Sequence, residues 1–179
     1  MGKIIIAVLT SLWTSLGLSA QTLSDEDIRS QFIKDWERAK AYTIDYLNTM
    51  PANKYSFKAT DSVRSFAQQM LHLAQSNVNV IAFVAGEPNI IGDRILEESK
   101  TAQSKDSVMY YVIASYDFAI NGIKKLSIAS LSEKVKFYNW EETKFAWLLK
   151  AFEHQTHHRG QTTIYIRLAG FHPPQERLF

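Results

Sequence analysis

The sequence predicts an all-α protein built as a four-helix bundle. Three observations lead there: four stretches whose apolar residues recur at three-to-four spacing, start and stop chemistry at the ends of those stretches, and no alternation of the kind that marks strands. With 46% hydrophobic, 21% charged and 12% aromatic residues the chain has an ordinary globular composition, and it carries no internal repeat.

Residues 1–20 stand apart from the rest. Lys3 supplies a positive start, Ile4 to Leu18 form an apolar run broken only by Thr, Ser and Gly, and Ser19-Ala20 offers small residues for cleavage before Gln21. The segment reads as a signal peptide, which places the mature protein in the periplasm or outside the cell. Leu18 is large for its position before the cut, so the competing reading is an uncleaved anchor, although the stretch is short for a membrane span. Residues 21–179 then form a single domain, with no later run long enough to insert in a bilayer.

Helix one is expected over 24–50. Ser24 can cap it, Asp25, Glu26 and Asp27 place negative charge on its first turn, and Leu23 can staple onto Ile28. Phe32, Trp36, Thr43, Leu47 and Met50 share a face until Pro51 forbids continuation. Thr60 or Asp61 can cap a second helix reaching to about Val84, where Gly86 and Pro88 end it. The third opens near Ser104, carries Val108, Val112, Tyr116 and Ile120 on one face, and fades near Ser127. Residues 129–139 are irregular. Asn139 with Glu142 three residues on reads as a capping box for the fourth helix, which Gly170, Pro173 and Pro174 close.

Net charge is +2 with acids and bases interspersed, so there is no basic stripe to neutralise a phosphate backbone, and nucleic acid is not an expected partner. Cysteine is absent, which removes disulfides, thiolate ligands and a Cys nucleophile together. A metal site in this chain must use nitrogen and oxygen.

The fourth helix holds the residues that suggest one. At 100° per residue Trp147, Ala151, His154, His158, Gln161, Tyr165 and Leu168 lie on one stripe, an apolar seam interrupted by two imidazoles and an amide. His154 and His158 are one turn apart, a spacing at which both rings can reach a single ion. Such a pair on a helix is more often two ordinary histidines than a ligand set, so the spacing alone leaves both readings open. His157 projects off this axis as a flanking residue. Gly160, costing about 1 kcal/mol relative to Ala inside a helix, suggests close approach of a neighbouring helix. His172, in the Pro-rich tail, reads as a surface residue.

The string His154-x-x-x-His158-Arg159-Gly160-Gln161 resembles the last-helix signature of the DinB/YfiT-like superfamily. Met70-Leu71-His72-Leu73-Ala74 is similar to the context in which that superfamily places a third histidine on helix two, and Leu168-Ala169-Gly170 before Pro173-Pro174 is similar to its usual ending. The resemblance implies a four-helix bundle in which His72, His154 and His158 bind one divalent metal, zinc or nickel, with an open coordination position. Periodicity by itself places His72 on a polar stripe with Ser65, Gln69, Ser76 and Asn79, which reads either as exposed surface or as the lining of a solvent-filled cleft.

Three neutral imidazoles with an open position are the ligand set of a catalytic zinc site, so hydrolysis of an unidentified small molecule is chemically accessible. The residues that could serve as or assist a base are Glu153, Gln161, Tyr110, Tyr111 and Tyr165, of which none is singled out; Glu153 points off the ligand face. Relatives of the superfamily include metal-dependent thiol S-transferases, but export would separate such an enzyme from cytosolic thiols. The expectation is therefore an exported metal-binding protein whose catalysis is open, with a thiol transferase or hydrolase second and a metal-free structural bundle third. An exposed apolar stripe would let such a bundle pair as a homodimer.

Overall fold

Ser24 opens the first helix as expected: its hydroxyl accepts from Asp27 N at 3.1 Å while the Asp27 carboxylate accepts from Ser24 N at 3.1 Å. The computed structural model describes residues 24–179, so the signal-peptide segment lies outside the described residues. Among the described residues there are four α-helices, α1 (Asp25–Thr49), α2 (Phe66–Ala85), α3 (Lys105–Lys125) and α4 (Lys144–Leu168). Short 3₁₀ turns sit between them, and one antiparallel hairpin, β1 (Lys134–Phe137) and β2 (Trp140–Thr143), precedes α4. No helix among them is long and apolar enough to cross a membrane.

The start of α2 differs from the sequence expectation. Neither Thr60 nor Asp61 caps it; Ser65 does, accepting from Gln68 N at 3.2 Å, with Gln68 Oε1 accepting from Ser65 N at 2.8 Å. The reason is tertiary. Residues 51–64 fold back over the bundle end, where Tyr55 is buried and donates to Leu47 O at 2.8 Å. Ala67 N then donates to Tyr55 O at 2.8 Å, which postpones the helix. Gly86, at φ 68°, ends α2 in the left-handed conformation that glycine takes without penalty.

α2 is the central helix. Phe66, Met70, Leu71, Leu73, Ala74, Val78 and Ile81 are all buried, and it packs on α3 and α4 while α1 covers those two from the far side. Trp36 and Leu47 of α1, Val112, Tyr116 and Ile123 of α3, and Leu148 and Ile166 of α4 complete one continuous core. Where α2 meets α3, a Cβ on Gly122 would lie 2.7 Å from Ile81 Cγ2, so this glycine permits the close approach. Gly160 does not serve that purpose: a Cβ there would have no neighbour within 4 Å, and the residue is exposed.

The hairpin is the second departure. Asn139 sits in its two-residue turn and Glu142 pairs across it with Val135, so the apparent capping box at 139–142 is consumed by strand pairing. Thr143 caps α4 instead, accepting from Ala146 N at 3.1 Å, and Lys144 N donates to Glu133 O at 2.9 Å at the hairpin base.

The buried face of α4 is also rotated from the predicted stripe. Ala151, His158 and Tyr165 are buried as expected, whereas Leu168 is exposed and Trp147 and Gln161 are half-buried. Gln155, Arg159 and Thr162 are buried in their place. They go inside because α1 and α3 present partners. Tyr116 hydroxyl donates to Gln155 Oε1 at 2.7 Å, and Arg159 Nη1 donates to the same oxygen at 2.9 Å. The Arg159 guanidinium also lies 4.8 Å over the Tyr42 ring. Satisfied in this way, polar groups occupy positions that apolar periodicity would give to aliphatic ones.

Candidate metal centre

Gln155 and Arg159 each follow a histidine, so the network that holds them also fixes the rotation of α4 about its axis. That rotation turns His154 and His158 toward His72 on α2. One ring nitrogen from each of the three histidines lies within 4.8 Å of the other two, and among the described residues no carboxylate completes the group. His154 Nε2 and His158 Nε2 are 3.1 Å apart, and the His72 ring centroid is 4.6 Å from that of His158 and 5.3 Å from that of His154. His72 is therefore half-buried and faces the other two rings, which decides between the surface and cleft readings of its polar stripe.

Two of the rings are held by the nitrogen that points away from the cluster. His158 Nδ1 lies 3.2 Å from Gln69 Oε1, and Gln69 Nε2 donates to Gln161 Oε1, whose own Nε2 lies 2.9 Å from His157 Nε2. With its amide nitrogen committed to Gln161, Gln69 presents only an oxygen to His158, so His158 carries its proton on Nδ1 and keeps the Nε2 lone pair for the cluster. His72 Nδ1 lies 3.3 Å from Glu97 Oε2, and the same carboxylate takes two N–H groups of Arg64, Nε and, at 3.1 Å, Nη2. This leaves His72 Nε2 free. His154 Nδ1 is buried and has no partner among the described residues.

Burial pushes all three imidazoles toward the neutral form. His158 falls to about 3, through desolvation first and then through the neighbouring His154, His72, His157 and Arg64. His154 falls to about 4 for the same leading reason, aided by His72, His157 and Arg64. His72 is lowered by desolvation and Arg64, with Glu97 opposing.

The donor set fits a divalent cation. Two unprotonated Nε2 atoms that face each other at 3.1 Å repel unless one carries a proton or both share an ion. If His154 protonates Nε2 to relieve this, its buried Nδ1 becomes an unsatisfied acceptor. Ligand lengths of about 2.0–2.1 Å in a tetrahedral site place neighbouring nitrogens roughly 3.3 Å apart, close to the observed spacing.

The other predicted residues fall elsewhere. Glu153 is exposed and pairs with Lys150 at 2.9 Å. Tyr110 and Tyr111 line a separate cavity with Val78 and Arg94. Tyr165 is buried, donates to Arg64 O at 2.8 Å, and has its pKa raised by desolvation, which makes it a poor base. Gln161 reaches the site only through Gln69 and His157, and His172 is in the exposed tail. Glu97, like the contact of Gln69 with His158, is a partner of the rings that sequence reasoning missed. It sits in a 3₁₀ turn, Leu96–Glu98, inside a segment without periodicity, so no local signal marked it.

The sequence model of the DinB family matches residues 19–177. The chain belongs to the DinB family. Among solved structures, this DinB chain is similar to a DinB-like protein from Bacillus cereus, with 17% identity, 83% of this chain and 97% of that one covered, and a TM-score of 0.70. A DinB-like protein from Bacillus subtilis shares 18% identity over 83% of this chain and 96% of that one, at a TM-score of 0.64. A conserved protein from Enterococcus faecalis shares 16% identity over 79% and 96%, at 0.65. At these identities the likeness shows the all-α fold. No curated protein matches the chain.

Proposed function

We propose that this DinB protein is exported and binds one divalent cation, zinc or nickel, through His72, His154 and His158, leaving a coordination position open to a small molecule. The observation that carries the reading is the convergence of three neutral imidazoles from two helices, two of them with Nε2 atoms 3.1 Å apart. Bound there, the cation would acidify or polarise a group brought to the open position. The chain's own residues do the rest. Gln69 and Glu97 hold the His158 and His72 rings in one tautomer, and Gln155 and Arg159 keep α4 from rotating the ligands apart. Depressed ring pKa values keep protons from competing for the same nitrogens.

Turnover of the small molecule by hydrolysis or thiol transfer is the second reading. It is favoured by a cavity of about 230 Å³ that reaches His154.

The test is metal content by mass spectrometry on the mature chain, purified without a His tag, for wild type and His158→Ala. About one zinc or nickel per chain, lost in the variant, is the expected result. A wild-type protein that neither contains nor takes up either metal would overturn the proposal.

A further inference from the structure

The cavity beside His154 has a wall that the bundle itself does not supply. Its helical side comes from Val80 of α2 and Trp147 and Ala151 of α4; its outer side is the hairpin, through Phe137, Tyr138 and Trp140. The hairpin is pinned there. Phe137 stacks on Phe83 at 4.5 Å between centroids with the planes 25° apart, and meets Trp147 edge-on at 5.4 Å.

Beyond that anchor two large rings are left in solvent, Tyr138 at 70% exposure and Trp140 at 65%. Tyr138 is also the single non-glycine residue at positive φ among the described residues, at 54°, in a two-residue turn position where glycine is normally used. A bulky aromatic in that conformation is strained, and strain of this kind persists where a side chain is needed in one place. Apart from a tilted contact of Tyr138 with Phe137, at 4.5 Å between centroids, most of each ring is left for a ligand to cover.

Size and charge define the ligand. A cavity of about 150 Å³ accepts benzene, so 230 Å³ suits one ring with a short substituent. Aromatic faces attract cations as well as rings, but a metal at the His154 end would repel a cationic guest, while Lys150 at the rim is already paired with Glu153.

We propose that the hairpin rings Phe137, Tyr138 and Trp140, with Trp147, form a binding subsite for the single aromatic ring of a neutral or anionic small molecule whose polar group reaches the open position at the histidine cluster. The subsite deepens the metal-site reading and rests on it for the polar end of the ligand alone. The ring end depends only on the hairpin.

The experiment compares two hydroxamates on the zinc-loaded full chain by calorimetry. Both carry the same metal-binding group, and only benzohydroxamate carries a ring. Wild type is expected to bind benzohydroxamate about tenfold more tightly than acetohydroxamate, from the partial burial of one ring. Trp140→Ala and Tyr138→Gly should each erase most of that preference while leaving acetohydroxamate unchanged. Tyr138→Gly should at the same time raise the melting temperature, which separates lost recognition from lost folding. Equal affinity for the two ligands in wild type, or a preference that survives both substitutions, overturns the subsite. If zinc is not taken up, phenol titrated into the metal-free chain decides the matter. Saturable quenching of tryptophan emission that Tyr138→Gly abolishes, with Trp140 still present, would uphold the ring subsite without the metal, and no saturable response would remove it.

Discussion

Glu97 and Gln69 touch the imidazoles on the side away from the cluster, and this is where single atoms decide how well an ion is held. Both acceptors fix the ring tautomer, and the carboxylate on His72 Nδ1 raises the basicity of its ring more than the amide oxygen on His158 Nδ1 does. Replacing Glu97 by Gln, or Gln69 by Leu, should weaken zinc affinity by about 10- to 100-fold in competition with a chromogenic chelator. Unchanged affinity in both would mean that packing alone orients the rings. Of these residues only the histidines were legible beforehand. His154 and His158 declare themselves by their spacing on one helix, while His72 lay on a stripe that periodicity reads two ways and needed the family resemblance to stand out. Glu97 could not be read, because its contact with His72 joins a helix to an irregular segment and exists only after both are folded.

At the level of elements, the two interior glycines of α3 and α4 look alike in sequence and differ in surroundings. At Gly122 an added methyl would collide with Ile81, so Gly122→Ala should destabilise the bundle by about 1–3 kcal/mol, less whatever the better helix propensity returns. At Gly160 the methyl meets nothing, so Gly160→Ala should stabilise by up to about 1 kcal/mol. Urea denaturation of both variants checks the pair, and a destabilised Gly160→Ala would mean that the open space there is occupied in solution. The helices α1 and α3 could be placed within a residue or two because capping is local chemistry. The hairpin could not. Four residues per strand are too few to establish alternation, and the Asn139–Glu142 pattern suits a turn as well as a helix start. The rotated face of α4 escaped for a related reason: apolar periodicity assumes that buried means apolar, and Gln155, Arg159 and Thr162 break that assumption.

For the whole molecule, the histidine cluster ties stability to pH. In the unfolded chain these rings protonate near 6.5, but in the metal-free fold His154 does so only near 4 and His158 near 3. Between those limits the unfolded state binds more protons, so stability rises with pH and is lost as pH falls from about 6.5 toward 4. The metal-free wild type should therefore melt at a clearly lower temperature at pH 4.5 than at pH 7. Removing both rings in His154→Ala/His158→Ala should flatten that difference, since the carboxylates common to both proteins titrate equally. Identical pH profiles for the two proteins would show that the rings are not held neutral by the fold. Bound zinc favours the same deprotonated rings and should steepen the dependence in the wild type.

The hairpin joins α3 to α4 and is tied to the bundle by Phe137, by Val135 O accepting from Trp147 Nε1 and by Thr143 at the start of α4, with Tyr138 and Trp140 projecting beyond those anchors. Its tip is a separable module. A chain built this way can exchange the side chains that greet a guest by altering a few residues of one short loop, while the helices that set the histidines keep their sequence. Divergence among such proteins would then run fastest at the loop and slowest at the imidazoles, and a designer wishing to retarget the molecule would begin at residues 138 and 140.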